Sequence, residues 1–201
     1  MKLAIIKYNA GNIQSVSFAL ERLGIAFDIT DDPETITSAD RVIFPGVGEA
    51  RNTMAYLRER KLDTLIKNLR QPVLGICLGM QLLCTHSEEY DTPCLGVFDQ
   101  TVKRFIPTGD LKVPHMGWNA LQVTNGWLDP DLNGAYVYFV HSYYVPTNKW
   151  TSAVTDYIVP FSAAMRKDNF FAVQFHPEKS AEAGVLVLKS FMNAGELIER
   201  T

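Results

Sequence analysis

Apolar and polar positions along this chain fall into blocks whose lengths point to particular elements. Residues 3–6 are a short continuous apolar run, the pattern of a strand buried on both faces. Turn residues follow in Tyr8-Asn9-Ala10-Gly11-Asn12. Ile13, Val16, Ala19, Leu20 and Leu23 then recur at helical spacing, and Gly24 makes a fitting stop. Residues 26–29 predict a second strand. Asp31-Asp32-Pro33-Glu34 opens a short helix, with Pro33 tolerated in its first turn. Residues 41–44 predict a third strand that runs into Pro45-Gly46-Val47-Gly48, and helical stretches follow over 49–60 and 62–69. After Pro72, residues 73–76 predict a fourth buried strand, and 78–83 the first turns of a helix. Strands alternating with helices imply a parallel sheet with right-handed crossovers.

The rhythm changes after Glu88-Glu89. Residues 96–105, 118–123, 135–141, 152–157, 162–166 and 170–175 read as short strands bounded by Gly, Pro and Asn. Residues 181–198 close the chain as a helix, with Ser180 as its N-cap and Glu182 in its first turn. The expected fold is α/β: an open, mostly parallel sheet flanked by helices, with an antiparallel extension in the C-terminal half. No repeat, low-complexity segment or linker divides the chain, so one domain is expected over 1–201.

Composition narrows the function. Hydrophobic residues make up 47% and charged residues 20%, as in ordinary globular proteins. A net charge of -3 leaves no basic footprint, so nucleic acid is not an expected partner. The three cysteines, Cys77, Cys84 and Cys94, form no metal-binding pattern with the four histidines, and no metal or cofactor is expected. Their odd count and irregular spacing suit a reducing cytoplasm better than a disulfide framework. The charged start Met1-Lys2 to Lys7 does not read as a signal peptide, and no run approaches the roughly 20 apolar residues of a membrane span.

Three stretches carry chemistry. The first, Gly75-Ile76-Cys77-Leu78-Gly79, lies between a predicted strand and a predicted helix, as a cysteine version of a nucleophile elbow. There the helix dipole favours the thiolate of Cys77, and the Leu78 N–H would face an oxyanion beside the sulfur. Taken alone, the stretch reads equally well as a core strand with an inert buried cysteine.

The second is Phe175-His176-Pro177-Glu178. On an extended backbone His176 and Glu178 project to one side, where a carboxylate can orient an imidazole. The preceding strand again places them at a carboxyl edge, where open α/β sheets hold their sites. Alone, this would be a surface His–Glu pair; beside an elbow cysteine, a triad is favoured. The third is Pro45-Gly46-Val47-Gly48. Its glycines let the Gly46–Val47 peptide take more than one orientation, and the Val47 N–H could serve as a second oxyanion donor. Such a donor is worth roughly 100- to 1000-fold in rate.

The Gly-Ile-Cys-Leu-Gly-Met-Gln elbow with a late His-Pro-Glu resembles the class I (triad) glutamine amidotransferases. Within them the chain is similar to the family of glutaminase subunits of imidazole glycerol phosphate synthases, through Pro45-Gly46-Val47-Gly48, Pro114-His115-Met116-Gly117-Trp118-Asn119 and Phe139-Val140-His141-Ser142-Tyr143-Tyr144. Asn9 departs from the family pattern, which has glycine there; asparagine tolerates left-handed angles, so the loop is expected to survive.

The resemblance implies a thioester mechanism. Cys77 attacks the side-chain amide of glutamine, His176 moves the protons, Glu178 orients His176, and the N–H groups of Val47 and Leu78 hold the oxyanion. It implies glutamine contacts from Gly48, Gln81, Glu89, Ser142 and Tyr143. It implies a heterodimer with a (β/α)₈-barrel cyclase, with Met116, Trp118, Asn119 and Tyr138 on the docking face. His115 and His141 receive no proton-transfer role. Two other readings stand beside this one: the glutaminase of another synthase, such as anthranilate or aminodeoxychorismate synthase, and a non-catalytic scaffold subunit of the same fold. The Pro-His-Met-Gly-Trp-Asn run weighs against the first, and the complete triad against the second.

Overall fold

The computed structural model describes residues 1–8, 12–124 and 126–194. The position of Asn9 and the predicted helix beyond 194 lie outside these residues. The first half alternates as its pattern predicts: β1 (Leu3–Ile6), α1 (Ile13–Arg22), β2 (Asp28–Thr30), α2 (Pro33–Ser38), β3 (Arg41–Phe44), α3 (Ala50–Glu59), α4 (Leu62–Asn68), β4 (Val73–Ile76) and α5 (Leu78–Leu82). Asp32 caps α2 by accepting from the Thr35 N–H at 2.8 Å, which satisfies a donor the first turn leaves free. Gly24 ends α1 with φ +68°, a left-handed angle that a side chain would resist.

The second half holds β5 (Cys84–Ser87), β6 (Thr92–Pro93), β7 (Phe98–Arg104), β8 (His115–Ala120), β9 (Gln122–Val123), β10 (Tyr136–His141), β11 (Tyr143–Tyr144), β12 (Thr151–Asp156), β13 (Pro160–Lys167), β14 (Phe170–Val173) and α6 (Ala181–Asn193). The main sheet has eight strands in the order β2-β1-β3-β4-β14-β13-β12-β9. From β2 to β14 its pairings are parallel, and beyond β14 they are antiparallel. The fold class is therefore the one expected from the pattern.

The central strands are apolar throughout because both sheet faces are covered. Leu3, Ile5, Ile43, Leu74, Phe171 and Val173 pack into one core cluster with α1 and α6. Ala4, Ile6, Val42, Phe44, Val73 and Ala172 pack into the other with α3 and α4.

Three expectations needed correction. The run 118–123 is not one strand. β8 pairs with β10 and β9 with β12, and between them Leu121 is fully buried, so the chain changes sheets there. The short strands β5, β6 and β11 form a separate small sheet with β7, which pattern alone did not reveal. Ser180 occupies the N-cap position of α6, yet its hydroxyl makes no cap. It donates to the His176 carbonyl at 2.7 Å and accepts from the Tyr138 N–H at 2.9 Å.

Candidate active site

Three sequence-distant turns meet at one edge because β3, β4 and β14 are neighbours. Phe44 lies opposite Gly75, and Ile76 opposite Val173, so all three strands deliver their carboxyl ends together. The glycine turn at 45–48, the Cys77 elbow and the His-Pro-Glu turn follow directly from these ends.

The elbow is tight. Cys77 has φ 53° and ψ -107°, a strained conformation for a residue with a side chain. A Cβ on Gly79 would overlap the Phe44 carbonyl, and one on Gly46 would come within 2.6 Å of the Gly79 nitrogen. Glycine at these two positions permits the close approach of elbow and loop. Cys77 is 7% exposed, so its thiol lies at the wall of a cavity and is not sealed in the core.

His176 faces Glu178, Nδ1 to Oε1, at 2.7 Å. The two do not sit on an extended strand as the spacing suggests. Pro177–Lys179 is a 3-10 turn, and that turn brings the carboxylate back onto the ring. Glu178 Oε1 also accepts from Asn12 Nδ2 at 3.0 Å. Among the described residues no hydrogen bond of ordinary geometry reaches His176 Nε2, but the Cys77 sulfur is near enough to act on its charge. Burial alone would push the imidazole down. Hydrogen bonding and charge from Cys77 and Glu178 outweigh it and raise the imidazolium to about 10.

The cavity beside Cys77 has a volume of about 350 Å³. Val47, Gly48, Leu78, Gln81, Glu89, Ser142 and Tyr143 all line it, so every glutamine contact expected from the resemblance borders one space with Cys77.

A family model described as "Glutamine amidotransferase class-I" matches residues 5–193. The chain belongs to this family. Among its similar proteins is the "Imidazole glycerol phosphate synthase subunit HisH" of Bacteroides thetaiotaomicron, 60% identical over 96% of this chain and 100% of that protein. The protein of the same name from Escherichia coli K12 is 46% identical over 96% of this chain and 99% of its own length. Among solved structures, a putative GMP synthase component from Thermoplasma acidophilum aligns with a TM-score of 0.74 at 18% identity, covering 100% of this chain and 96% of that one. The PurLQS structure from Thermotoga maritima aligns at 0.64 and 17% identity, covering 96% and 97%. At such identities these two matches establish the shared fold.

The two N–H groups expected to form an oxyanion hole are not both free. The Leu78 N–H donates to the Gly46 carbonyl at 3.3 Å. Because a trans peptide holds its carbonyl and N–H on opposite sides, the Val47 N–H points away from the hole. The two expected donors are thus placed beside the sulfur, but one is occupied and the other reversed. Tyr8, which is buried, donates its hydroxyl to the Pro45 carbonyl and holds the loop from behind.

Gln81 is not the exposed helical residue its position could suggest. It is buried, and its Nε2 donates at 2.9 Å to the Tyr143 carbonyl and at 2.9 Å to Gln174 Oε1. Glu89 lies in a turn after β5, where Oε2 accepts from the Ala50 N–H at 2.7 Å and caps α3; burial raises its pKa.

The docking candidates separate by strand parity. In the β8–β10 ribbon, Met116, Trp118, Tyr136 and Tyr138 share one face, and His115, Val137, Phe139 and His141 share the other. Met116 is 63% exposed and Trp118 52%, while Tyr138 is half-buried beside the Trp118 ring. Asn119 sits on the inner face, one residue out of step with Trp118. Its amide donates to the Asp156 carbonyl at 2.8 Å, so Asn119 braces the ribbon from the face opposite Met116 and Trp118. Tyr136, 62% exposed, lies on the face of Met116 and Trp118.

The two remaining histidines of the ribbon are structural. His141 Nδ1 lies 2.7 Å from the Tyr143 carbonyl, so it must donate, and its Nε2 is left to accept from His115 Nδ1 at 3.0 Å. Burial pushes His115 down to about 4 and His141 to about 3, so the pair is neutral at physiological pH.

Two polar residues of the site escaped sequence reasoning. Asn12 ends the first loop and reads there as a turn residue. Gln174 is a fully buried polar side chain inside the apolar run 170–175. That interruption was its visible signal. Among the described residues no cluster of His, Cys, Asp and Glu could hold a metal ion, and no helix is long and apolar enough to cross a membrane.

Proposed function

We propose that this chain, acting as one glutaminase domain over 1–201, hydrolyses glutamine for an imidazole glycerol phosphate synthase and hands the ammonia to a (β/α)₈-barrel cyclase partner. The observation that carries the proposal is the meeting of Cys77, on the cavity wall, with the buried His176–Glu178 pair behind it at the carboxyl edge of the sheet. The name of a relative 60% identical to this chain supports this synthase over anthranilate or aminodeoxychorismate synthase.

The Cys77 thiolate attacks the glutamine side-chain carbon. The imidazolium of His176 gives its proton to the departing ammonia, leaving a glutamyl thioester. His176, now neutral, takes a proton from water as the water attacks, and the thiolate leaves as glutamate forms. Glu178 keeps the ring turned so that Nε2 faces the sulfur. A turn of the Gly46–Val47 peptide would free the Leu78 N–H and bring in that of Val47, completing the oxyanion hole. Gly48, Gln81, Glu89, Ser142 and Tyr143 frame the glutamine. Met116, Trp118, Tyr136 and Tyr138 offer the aromatic and thioether surface on which a partner would seat. Val140, on that same face, also lines the cavity, so docking and the ammonia source are adjacent.

The test is Cys77→Ala in the complex with the cyclase. Glutamine-dependent synthesis should vanish, while synthesis from added ammonia persists. Equal loss of both would show that the two chemistries do not occupy separate sites.

A further inference from the structure

Beyond the triad, one buried amide is aimed at the nucleophile. Gln174 has no solvent exposure, and its Nε2 lies 3.6 Å from the Cys77 sulfur. The orientation of this amide follows from its neighbours. The Tyr143 carbonyl can only accept, so the group that meets it at 2.9 Å must be the NH₂ of Gln81. That same NH₂ lies 2.9 Å from Gln174, so Gln174 presents its oxygen there. Its own NH₂ is left to face the sulfur. Backbone register fixes the rest, since the Cys77 N–H donates to the Val173 carbonyl at 2.8 Å and the Gln174 N–H to the Ala163 carbonyl at 2.8 Å.

We infer that Gln174 is a further catalytic residue, an N–H donor to the Cys77 sulfur that stabilises and orients the thiolate. The inference rests on the reading of Cys77 as the glutaminase nucleophile. Three observations favour the donor role over simple packing. A buried amide without a partner would be costly, and among the described residues the sulfur is the one acceptor within reach of this NH₂. The Val140 carbonyl, 3.9 Å from the same sulfur, is an acceptor, so it can satisfy a thiol but cannot favour a thiolate. Gln174 supplies the opposing donor. The relay also runs unbroken from the pocket wall, Tyr143 to Gln81 to Gln174 to Cys77, so groups framing the substrate hold the sulfur in place.

The experiment measures thiol reactivity directly. The full chain is treated with iodoacetamide at fixed neutral pH, and alkylation of Cys77 is followed by peptide mass, apart from Cys84 and Cys94. Gln174→Met removes the donor at similar volume, and Gln174→Glu puts a charged acceptor in its place. Loss of a hydrogen bond to a charged group predicts about tenfold slower alkylation and about tenfold lower glutaminase kcat/KM for the first, with a larger loss for the second. Wild-type alkylation rates in both variants would overturn the inference, even if activity fell, because the role would then be packing alone. Should either variant fail to fold, the unsubstituted chain decides. Alkylating Cys77 should shift the Gln174 side-chain N–H resonances, and unchanged resonances would overturn the proposal. An unsubstituted chain that hydrolyses no glutamine in its complex would instead refute the glutaminase reading itself.

Discussion

The side-chain amide of Asn12 donates at 3.0 Å to the same Glu178 oxygen that meets His176 at 2.7 Å. The first loop and the His176–Glu178 pair are thereby tied together from opposite ends of the chain. Glu178 is almost fully buried, and its other oxygen has no partner among the described residues. Asn12 and His176 are therefore the two side chains that steer the carboxylate. Asn12→Ala should lower kcat about tenfold with little change in KM for glutamine, the signature of a lost positioning contact. Steady-state kinetics in the complex decide it; a rise in KM at constant kcat would place Asn12 in substrate binding.

The Leu78 N–H is engaged by Gly46, and the Val47 N–H faces away. The isolated chain should hydrolyse glutamine at least about 100-fold more slowly than the complex with its substrate-loaded partner, since an absent oxyanion donor costs on that order. Turnover of the free chain equal to that of the complex would contradict a closed resting hole.

The buried histidines set a pH dependence of stability. His115 and His141 are pushed down to about 4 and about 3 by burial, below the ordinary 6.5. The unfolded chain then binds more protons in this window, so their contribution falls as pH drops from 6.5 toward 3. His176 acts in the opposite direction. Raised to about 10, it contributes stability that is fully present below 6.5 and is lost as pH climbs through 10. Urea midpoints at about pH 6.5 and pH 4.5 should show a smaller acid loss for His115→Gln, which keeps a donor for His141, than for the unsubstituted chain. Identical losses would mean that the pair is not held neutral.

Gly79→Ala should destabilise the chain by about 1–3 kcal/mol, because the new methyl group meets the rigid backbone carbonyl of Phe44. The elbow and the β3 turn would have to part, so glutaminase activity should fall as well. An unchanged urea midpoint would show that the strand end can retreat without cost.

Much of this protein was legible in its residues. The apolar blocks of the first half place β1, β3 and β4 at their observed limits. Gly75, Cys77 and Gly79 name the elbow, because only glycine fits where helix, strand and loop crowd together. His176 and Glu178 were legible as a pair, although the 3-10 turn that joins them was not. Asn119 shows a limit of motifs: membership of a motif says nothing about strand parity, and parity sets it on the opposite face from Trp118. Ser180 misled in a related way, since a serine before a helix is a cap only when no stronger partner competes for its hydroxyl.

By itself the sequence determined the alternating elements of the parallel half and singled out Cys77, His176 and Glu178 as the candidate nucleophile, base and orienting carboxylate, because each depends on residue type and on neighbours within a few positions. Only the tertiary structure decided that β14 lies against β4, that the Gly46–Val47 peptide rests with its hole closed, and that Asn12 and Gln174 reach the triad. Those facts depend on contacts between segments far apart in the chain. Short-range spacing carries no trace of them, since long-range strand pairing and hydrogen-bond competition are settled only when the whole core closes.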